Sequence, residues 1–338
     1  MGVEALRQDY RGLARYTLPE VTYEAFKTNH EMGRNRFISY YSLIFHCTSD
    51  IVAKKYLESV CLWNCTVAIS TLVMIDSLRL KPMKTKTGVS LMTECMKAYC
   101  RYQDVPCQDQ NRVVLKWHCA ATDYIHTNYV GTPVSKKRFI LTQGPLDGTI
   151  NEFWQMVLQE EAETIIMLCS CIETVRVLSA EELTVMVCIL NIKFTTADNA
   201  TNQREVRHYQ WLDWPDRGVP PCKLTSMELL SRVRGTTKPI VVHCSAGIGR
   251  TGTIVAIEYI MERMQAGHEC AAMNDSLKEL RNQRAYTIQN YLQYLYIHRV
   301  MLCYFLEKHK NRYAAILTEE NKAKYKKFIE DYNAATGT

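Results

Sequence analysis

The chain has 338 residues, about half of them apolar, which suits one large α/β domain better than two small ones. Its net charge of +6 suits an anionic substrate but excludes the concentrated basic stripe of a nucleic-acid binder. Fourteen cysteines show no CxxC pairs spaced for zinc, and the chain is too long for a small disulfide scaffold.

Residues 1–36 read as a polar segment with helical stretches. The start, MGVEALRQDYRGLARY, mixes both charge signs where a secretory leader needs an apolar core, which implies a reducing, intracellular setting. From Phe37 to Arg101 the sequence turns apolar, cysteine-rich and aperiodic. Its densest part, Ser59 to Ile75, is short for a membrane span, contains Asn64 and is flanked by Glu58 and Asp76, so a buried or loosely packed segment is expected there. Alternating strands and turns follow through Leu146. Thr149 with Glu152 three residues on predicts a capping box, and Phe153, Trp154, Met156 and Val157 supply that helix's apolar face. A strand is predicted at Thr164–Ser170, after which the pattern weakens over residues 171–207. A helix is predicted from Thr225.

The stretch Pro239–Thr253, PIVVHCSAGIGRTGT, carries the clearest chemistry. Ile240, Val241 and Val242 read as a short buried strand that ends at His243 and Cys244. Ser245, Ala246, Gly247, Ile248 and Gly249 form a small-residue loop whose backbone N–H groups can converge on one point, at the start of the next helix. Such a site takes a phosphate. Arg250 adds a planar fork of donors matched to two phosphate oxygens, and Thr251 adds a hydroxyl. A cysteine in that field favours the thiolate, so Cys244 is the candidate nucleophile. Alone, Cys244 reads equally well as a buried core thiol; the joint spacing decides for chemistry. The helix after Arg250 aligns Ile254, Ile257 and Ile260 and stops at Gly267. Another helix is predicted over Asn274–Arg284, and Gln289 and Gln293 lie one turn apart, on one helix face. Residues 311–338 carry a Lys-rich run and are expected to be a charged, solvated tail.

His243–Gly252, HCSAGIGRTG, resembles the signature of the phosphotyrosine-specific, non-receptor protein tyrosine phosphatase family. RHYQWLDWPDRGVPP, TDYIHTNYV and KRFILTQGPL resemble further segments of that family, and TNQREVRHYQWLDWPDRGVP resembles its branch in the bracoviruses of parasitoid wasps. The resemblance implies an α/β fold with a central, highly twisted mixed β-sheet flanked by helices. It implies a cysteinyl-phosphate mechanism without metal or cofactor, in which Cys244 attacks, Arg250 holds the phosphate and Asp216 is the general acid. Alone, Asp216 would read as a turn residue. Gln289 would position water, Thr251 would assist the leaving thiolate, and Ser245, Ala246, Gly247, Ile248, Gly249 and Gln293 would line the substrate site. His243, Trp214 and Glu173 would be supporting residues, Glu173 as the anchor of Arg250; a solvated loop carboxylate is the other reading of Glu173. The family's KNRYxDV motif is split here into GRNR at 33–36 and YQDV at 102–105. Tyr102 would wall a pocket deep enough for phosphotyrosine, so that phosphoserine falls short of Cys244, and Asp104 would grip the peptide backbone.

Domain organisation follows from that split: a catalytic domain of 1–36 and 102–310, an anomalous, poorly ordered insertion at 37–101 that reads as an intron translated in frame, and the tail at 311–338. The expected partners are phosphotyrosine-containing proteins, without nucleic acid or membrane, in the cytoplasm (that of the host cell for a viral protein). Asn290 stands where the family usually has threonine, and the lysine and YWP of the loop after residue 170 are missing. Two other readings stay open: a catalytically impaired module that traps phosphotyrosine, and a dual-specificity, lipid or RNA phosphatase.

Overall fold

The computed structural model describes residues 2–14, 16–18, 21–31, 105–169, 185–268, 270 and 273–337. Residues 37–101, expected to be an insertion, and Tyr102, Asp104 and Glu173 lie outside the described residues.

Among the described residues seven strands form one mixed, twisted sheet: β1 (Arg112–Val114), β2 (Tyr124–Val130), β3 (Phe139–Gln143), β4 (Thr164–Met167), β5 (Val185–Thr195), β6 (Thr201–Trp211) and β7 (Ile240–Cys244). Their order is β1-β2-β3-β7-β4-β6-β5. The pairs β3–β7, β7–β4 and β4–β6 are parallel, while β1–β2, β2–β3 and β6–β5 are antiparallel. β7 is therefore central and covered on both faces, which is why it is a continuous β-branched run. The pleat sends Ile240, Val242 and Cys244 into the larger core cluster and Val241 into the smaller one on the other face.

Among the described residues eight α-helices accompany the sheet: α1 (Val3–Leu13), α2 (Glu24–Glu31), α3 (Ile150–Gln159), α4 (Thr225–Val233), α5 (Gly249–Gln265), α6 (Met273–Arg281), α7 (Tyr291–Leu302) and α8 (Glu319–Thr336). In α1, Val3, Leu6, Tyr10 and Leu13 recur at helical spacing and are buried, and the helix packs on α7. The isoleucine stripe of α5 is buried, but so is nearly every other residue up to Glu262, because this helix lies inside the larger core and has no solvent face. Among the described residues no helix is long and apolar enough to cross a membrane.

Four local expectations change. Thr149 does not cap α3 with Glu152; its hydroxyl is held by Leu146 N at 2.9 Å in a preceding 3₁₀ turn, so the cap is spent one turn earlier. The helix predicted over 274–284 is α6, ending at Arg281, and Asn274 lies inside it. Residues 185–207, weak in pattern, form β5, a short turn at 196–200 and the start of β6, and the two strands pair along their whole length. The C-terminal segment expected to be solvated holds α8, whose Phe328 and Tyr332 are buried in the larger core while its lysines face outward.

Candidate active site

Cys244 ends the central parallel strand, the place where open α/β sheets put their ligands. Its neighbour His243 points to the opposite face, where its ring meets Phe153 edge-on with centroids 6.0 Å apart. The loop that follows is held from outside through its carbonyls. Ser245 O accepts from Gly144 N at 3.2 Å, Gly247 O accepts from Arg284 Nε at 2.7 Å, and Ile248 O accepts from both Gly252 N and Ile288 N at 3.0 Å. Ala246 O receives Arg284 Nη2 at 3.4 Å. In a trans peptide the N–H points away from the preceding carbonyl, so these outward bonds turn the amides of residues 246–249 inward. These amides lie at the N-terminal end of α5, which adds the positive end of its dipole.

Gly247 is required at its position. Its φ of +69° is left-handed, and a Cβ would meet Thr142 O at 2.1 Å. Gly247→Ala is expected to destabilise the protein by about 3 kcal/mol and to disorder the cradle, read as a lowered denaturant midpoint. An unchanged midpoint would mean that the loop can relax around a methyl group.

Arg250 is buried in the cradle and joins three parts of the site. Its Nη2 donates to Ser245 Oγ at 3.0 Å and to Asp216 Oδ1 at 3.2 Å, and its Nη1 donates to Trp214 O at 3.3 Å. Trp214, Pro215 and Asp216 belong to a loop after β6 that closes on itself through Trp214 Nε1 to Gly218 O at 3.2 Å. Trp214 anchors that loop by packing on Trp211 and on Tyr296 of α7, at centroid distances of 4.8 and 5.6 Å.

Gln289 and Gln293 both reach the cradle. A Cβ on Gly249 would lie 2.9 Å from Gln293 Nε2 and 3.0 Å from Gln289 Oε1. They do not share a helix face, however. Gln289 precedes α7 in a turn with left-handed Tyr286 and Ile288, and Gln289 N donates to Gln293 Oε1 at 2.9 Å. The hydroxyl of Thr251 is buried without a hydrogen-bond partner among the described residues.

Residues 96–303 match the family model described as protein-tyrosine phosphatase. The chain belongs to that family. It is similar to receptor-type tyrosine-protein phosphatase F of Danio rerio, 32% identical over 235 residues that cover 62% of this chain and 12% of that protein. It is also similar to a Lar-like tyrosine-protein phosphatase of Caenorhabditis elegans, 33% identical over 227 residues, 60% of this chain and 10% of that one. The crystal structure of the catalytic domain of human protein tyrosine phosphatase non-receptor type 18 aligns with a TM-score of 0.54 at 27% identity, covering 61% of this chain and 83% of that one. The structure of PTPN18 in complex with HER2-pY1196 phosphopeptides aligns with a TM-score of 0.51 at 28% identity, over 59% of this chain and 79% of that one. The chain spans about a tenth of the length of the curated relatives it matches.

Within this phosphatase fold, several residues that support the cradle escaped sequence reasoning. Arg284 is fully buried and, besides its two loop carbonyls, donates to Asn128 Oδ1 at 2.9 Å and faces His126 Nδ1 at 3.4 Å. Tyr10, from α1, donates to Ile288 O at 3.0 Å and so steadies the turn that carries Gln289. The available signal was the polar run His126, Thr127, Asn128 within a strand otherwise built for burial, because buried polar groups require partners.

Two histidines of this region give the fold a pH dependence. Burial lowers His126 to about 3, with the Arg284 charge adding to the effect. Burial also lowers His243 to about 3, helped by His208 and Arg250. Both are neutral in the folded protein near pH 7, whereas an unfolded chain protonates histidine below about 6.5. Stability from this source is therefore present above pH 6.5 and is lost as pH falls toward 3. The two together are expected to remove about 3 kcal/mol between pH 6.5 and 5, measured as the shift in unfolding free energy. A flat profile over that interval would refute it.

Proposed function

We propose that this chain hydrolyses phosphotyrosine in proteins through a cysteinyl-phosphate intermediate. The observation that carries the reading is the position of Arg250: one buried guanidinium touches the cradle at Ser245 and the acid loop at Trp214 and Asp216, next to the strand end that bears Cys244. A bound phosphate would take over guanidinium donors now directed at Ser245 and Asp216, which frees Asp216 to face the leaving group.

In the first step the Cys244 thiolate attacks phosphorus. The bond from phosphorus to the tyrosine oxygen breaks, and protonated Asp216 gives its proton to that oxygen. Arg250 and the inward amides of residues 246–249 hold the equatorial oxygens as charge spreads over them. In the second step Asp216 takes a proton from a water positioned by Gln289. The water oxygen attacks phosphorus, the S–P bond breaks, and inorganic phosphate leaves. Thr251, whose hydroxyl has no other partner among the described residues, is suited to donate to the returning thiolate. Gln293 holds the turn that carries Gln289, Trp214 anchors the acid loop, and His243 supports the strand end.

Tyr102 and Asp104 are proposed to select phosphotyrosine and grip its peptide, and Glu173 to support Arg250, on the strength of the family motifs alone. The PTPN18 complex with phosphopeptides supports a phosphoprotein substrate. Because the nucleophile works only as a reduced thiol, a reducing, intracellular compartment is part of the proposal. So is a catalytic unit made of 1–36 and 102–310, with the insertion at 37–101 dispensable for chemistry. One relative, 29% identical over 241 residues, is named phosphatidylinositol phosphatase PTPRQ, so the test must include a lipid. Turnover of a phosphotyrosine peptide should exceed that of the matching phosphoserine peptide and of a phosphoinositide by about a hundredfold or more. Turnover of the phosphoinositide alone would sink the proposal, and tight peptide binding without turnover would favour the trapping module.

A further inference from the structure

Asn290 lies between the two parts of the site that must act in sequence. Its Oδ1 accepts from Gln293 N at 3.0 Å and so caps α7. Its Nδ2 donates to Arg217 O at 2.7 Å, across to the acid loop and one residue beyond Asp216. A single planar amide thus ties the turn that carries Gln289 to the loop that carries Asp216. Both bonds go to backbone atoms. Arg217 itself has a φ of +57°, a left-handed conformation that costs energy for any residue with a Cβ and needs an external hold.

We propose that Asn290 is a positioning residue that latches the Asp216 loop over the cradle. The inference rests on the phosphotyrosine reading given above. The loop is held from two sides, by Arg250 at Trp214 and Asp216 and by Asn290 at Arg217. Of these two polar holds only the second does not compete with substrate, since a phosphate would claim the Arg250 donors, and it acts at Arg217, beyond the Trp214 packing that anchors the start of the loop. Threonine, the residue that the family motif has at this place, could keep the cap, but its one oxygen cannot stand at both ends of the amide. The chain therefore carries a tie between acid loop and water-positioning turn that the usual residue does not supply.

The test compares the full chain with Asn290→Thr, which keeps a cap acceptor, and Asn290→Ala, which does not. On a phosphotyrosine peptide, both variants are expected to lose kcat by about tenfold, the scale of one hydrogen bond, with KM changed by less. On 4-nitrophenyl phosphate, whose leaving group depends less on the acid, the loss is expected to be about twofold. A purely structural role predicts equal losses on both substrates, confined to Asn290→Ala, where the cap is gone. Hydrogen exchange of the amides from Asp213 to Gly218 gives a readout independent of activity, with about fivefold faster exchange expected in Asn290→Thr. Wild-type kinetics with unchanged exchange in Asn290→Thr would overturn the latch. If the parent chain shows no phosphotyrosine hydrolysis, the functional reading fails on its own, and exchange alone then decides: faster exchange supports the latch and unchanged exchange refutes it.

Discussion

Replacing Cys244 by serine is expected to lower kcat on a phosphotyrosine peptide by about four powers of ten or more, because the step lost is the formation of the covalent intermediate itself. A serine hydroxyl fits the same space at the end of β7 but is not ionised there at neutral pH, so it cannot attack phosphorus at a useful rate. The fold should tolerate the change, since the side chain is buried against the larger core and the exchange is nearly isosteric. Binding should survive as well, because the cradle is made by backbone amides and Arg250. The variant is therefore expected to hold phosphotyrosine peptide with an affinity within a few-fold of the parent, measured by calorimetry. Residual turnover above about one per cent of the parent would show that another group supplies the nucleophile.

The second large effect is expected at Arg250→Lys, with kcat lowered by about 10²–10³ and KM raised, even though the charge is kept. The loss comes from geometry. The guanidinium donates from Nη1 to Trp214 O and from Nη2 to Ser245 Oγ and Asp216 Oδ1, three partners spread around a plane. An ammonium on a shorter reach can serve as a point charge but cannot present two parallel donors to phosphate oxygens while holding the Trp214 carbonyl. Both the phosphate site and the acid loop are expected to loosen together. If kcat fell less than fivefold, charge alone would suffice and the fork geometry would carry little of the catalysis.

The parts of the site visible in the sequence were those that the chain keeps together. Cys244, its loop and Arg250 occupy seven consecutive positions, and the β-branched run before them needs burial on both faces, so strand, cradle and helix could be read in one pass. Asp216 was visible only through the motif around it. The supports were hidden for a physical reason: Tyr10 reaches the neighbouring turn and Arg284 the loop from distant positions in the chain, Asn128 in turn holds Arg284, and a single buried polar side chain leaves no periodic trace. The turn before α7 was misread as helix because Tyr286 and Ile288 adopt left-handed backbone, which side-chain preferences argue against, and tertiary bonds, among them those from Tyr10 and Arg281 to Ile288 O and from Ile288 N to Ile248 O, hold it. The cap expected at Thr149 failed for a smaller cause, since its hydroxyl was already engaged with Leu146. The apolar positions of α8, Phe328 and Tyr332, were masked by the lysines around them.

The central strand has a temporal consequence. β7 pairs with β3 and β4, both made of much earlier residues, and the cradle is then closed by Arg284 and Ile288, which come later. Nothing local can assemble it. During synthesis the chain emerges with an ordinary cysteine at position 244, and the loop around it is completed only after Arg284 and Ile288 have reached it. Formation of the sheet by such non-local pairing is slow compared with helix formation, so gain of activity during refolding should track the last global step and not the early recovery of helical signal. The site is in effect assembled by completion of the fold, and the proposed activity would report on the integrity of the whole domain.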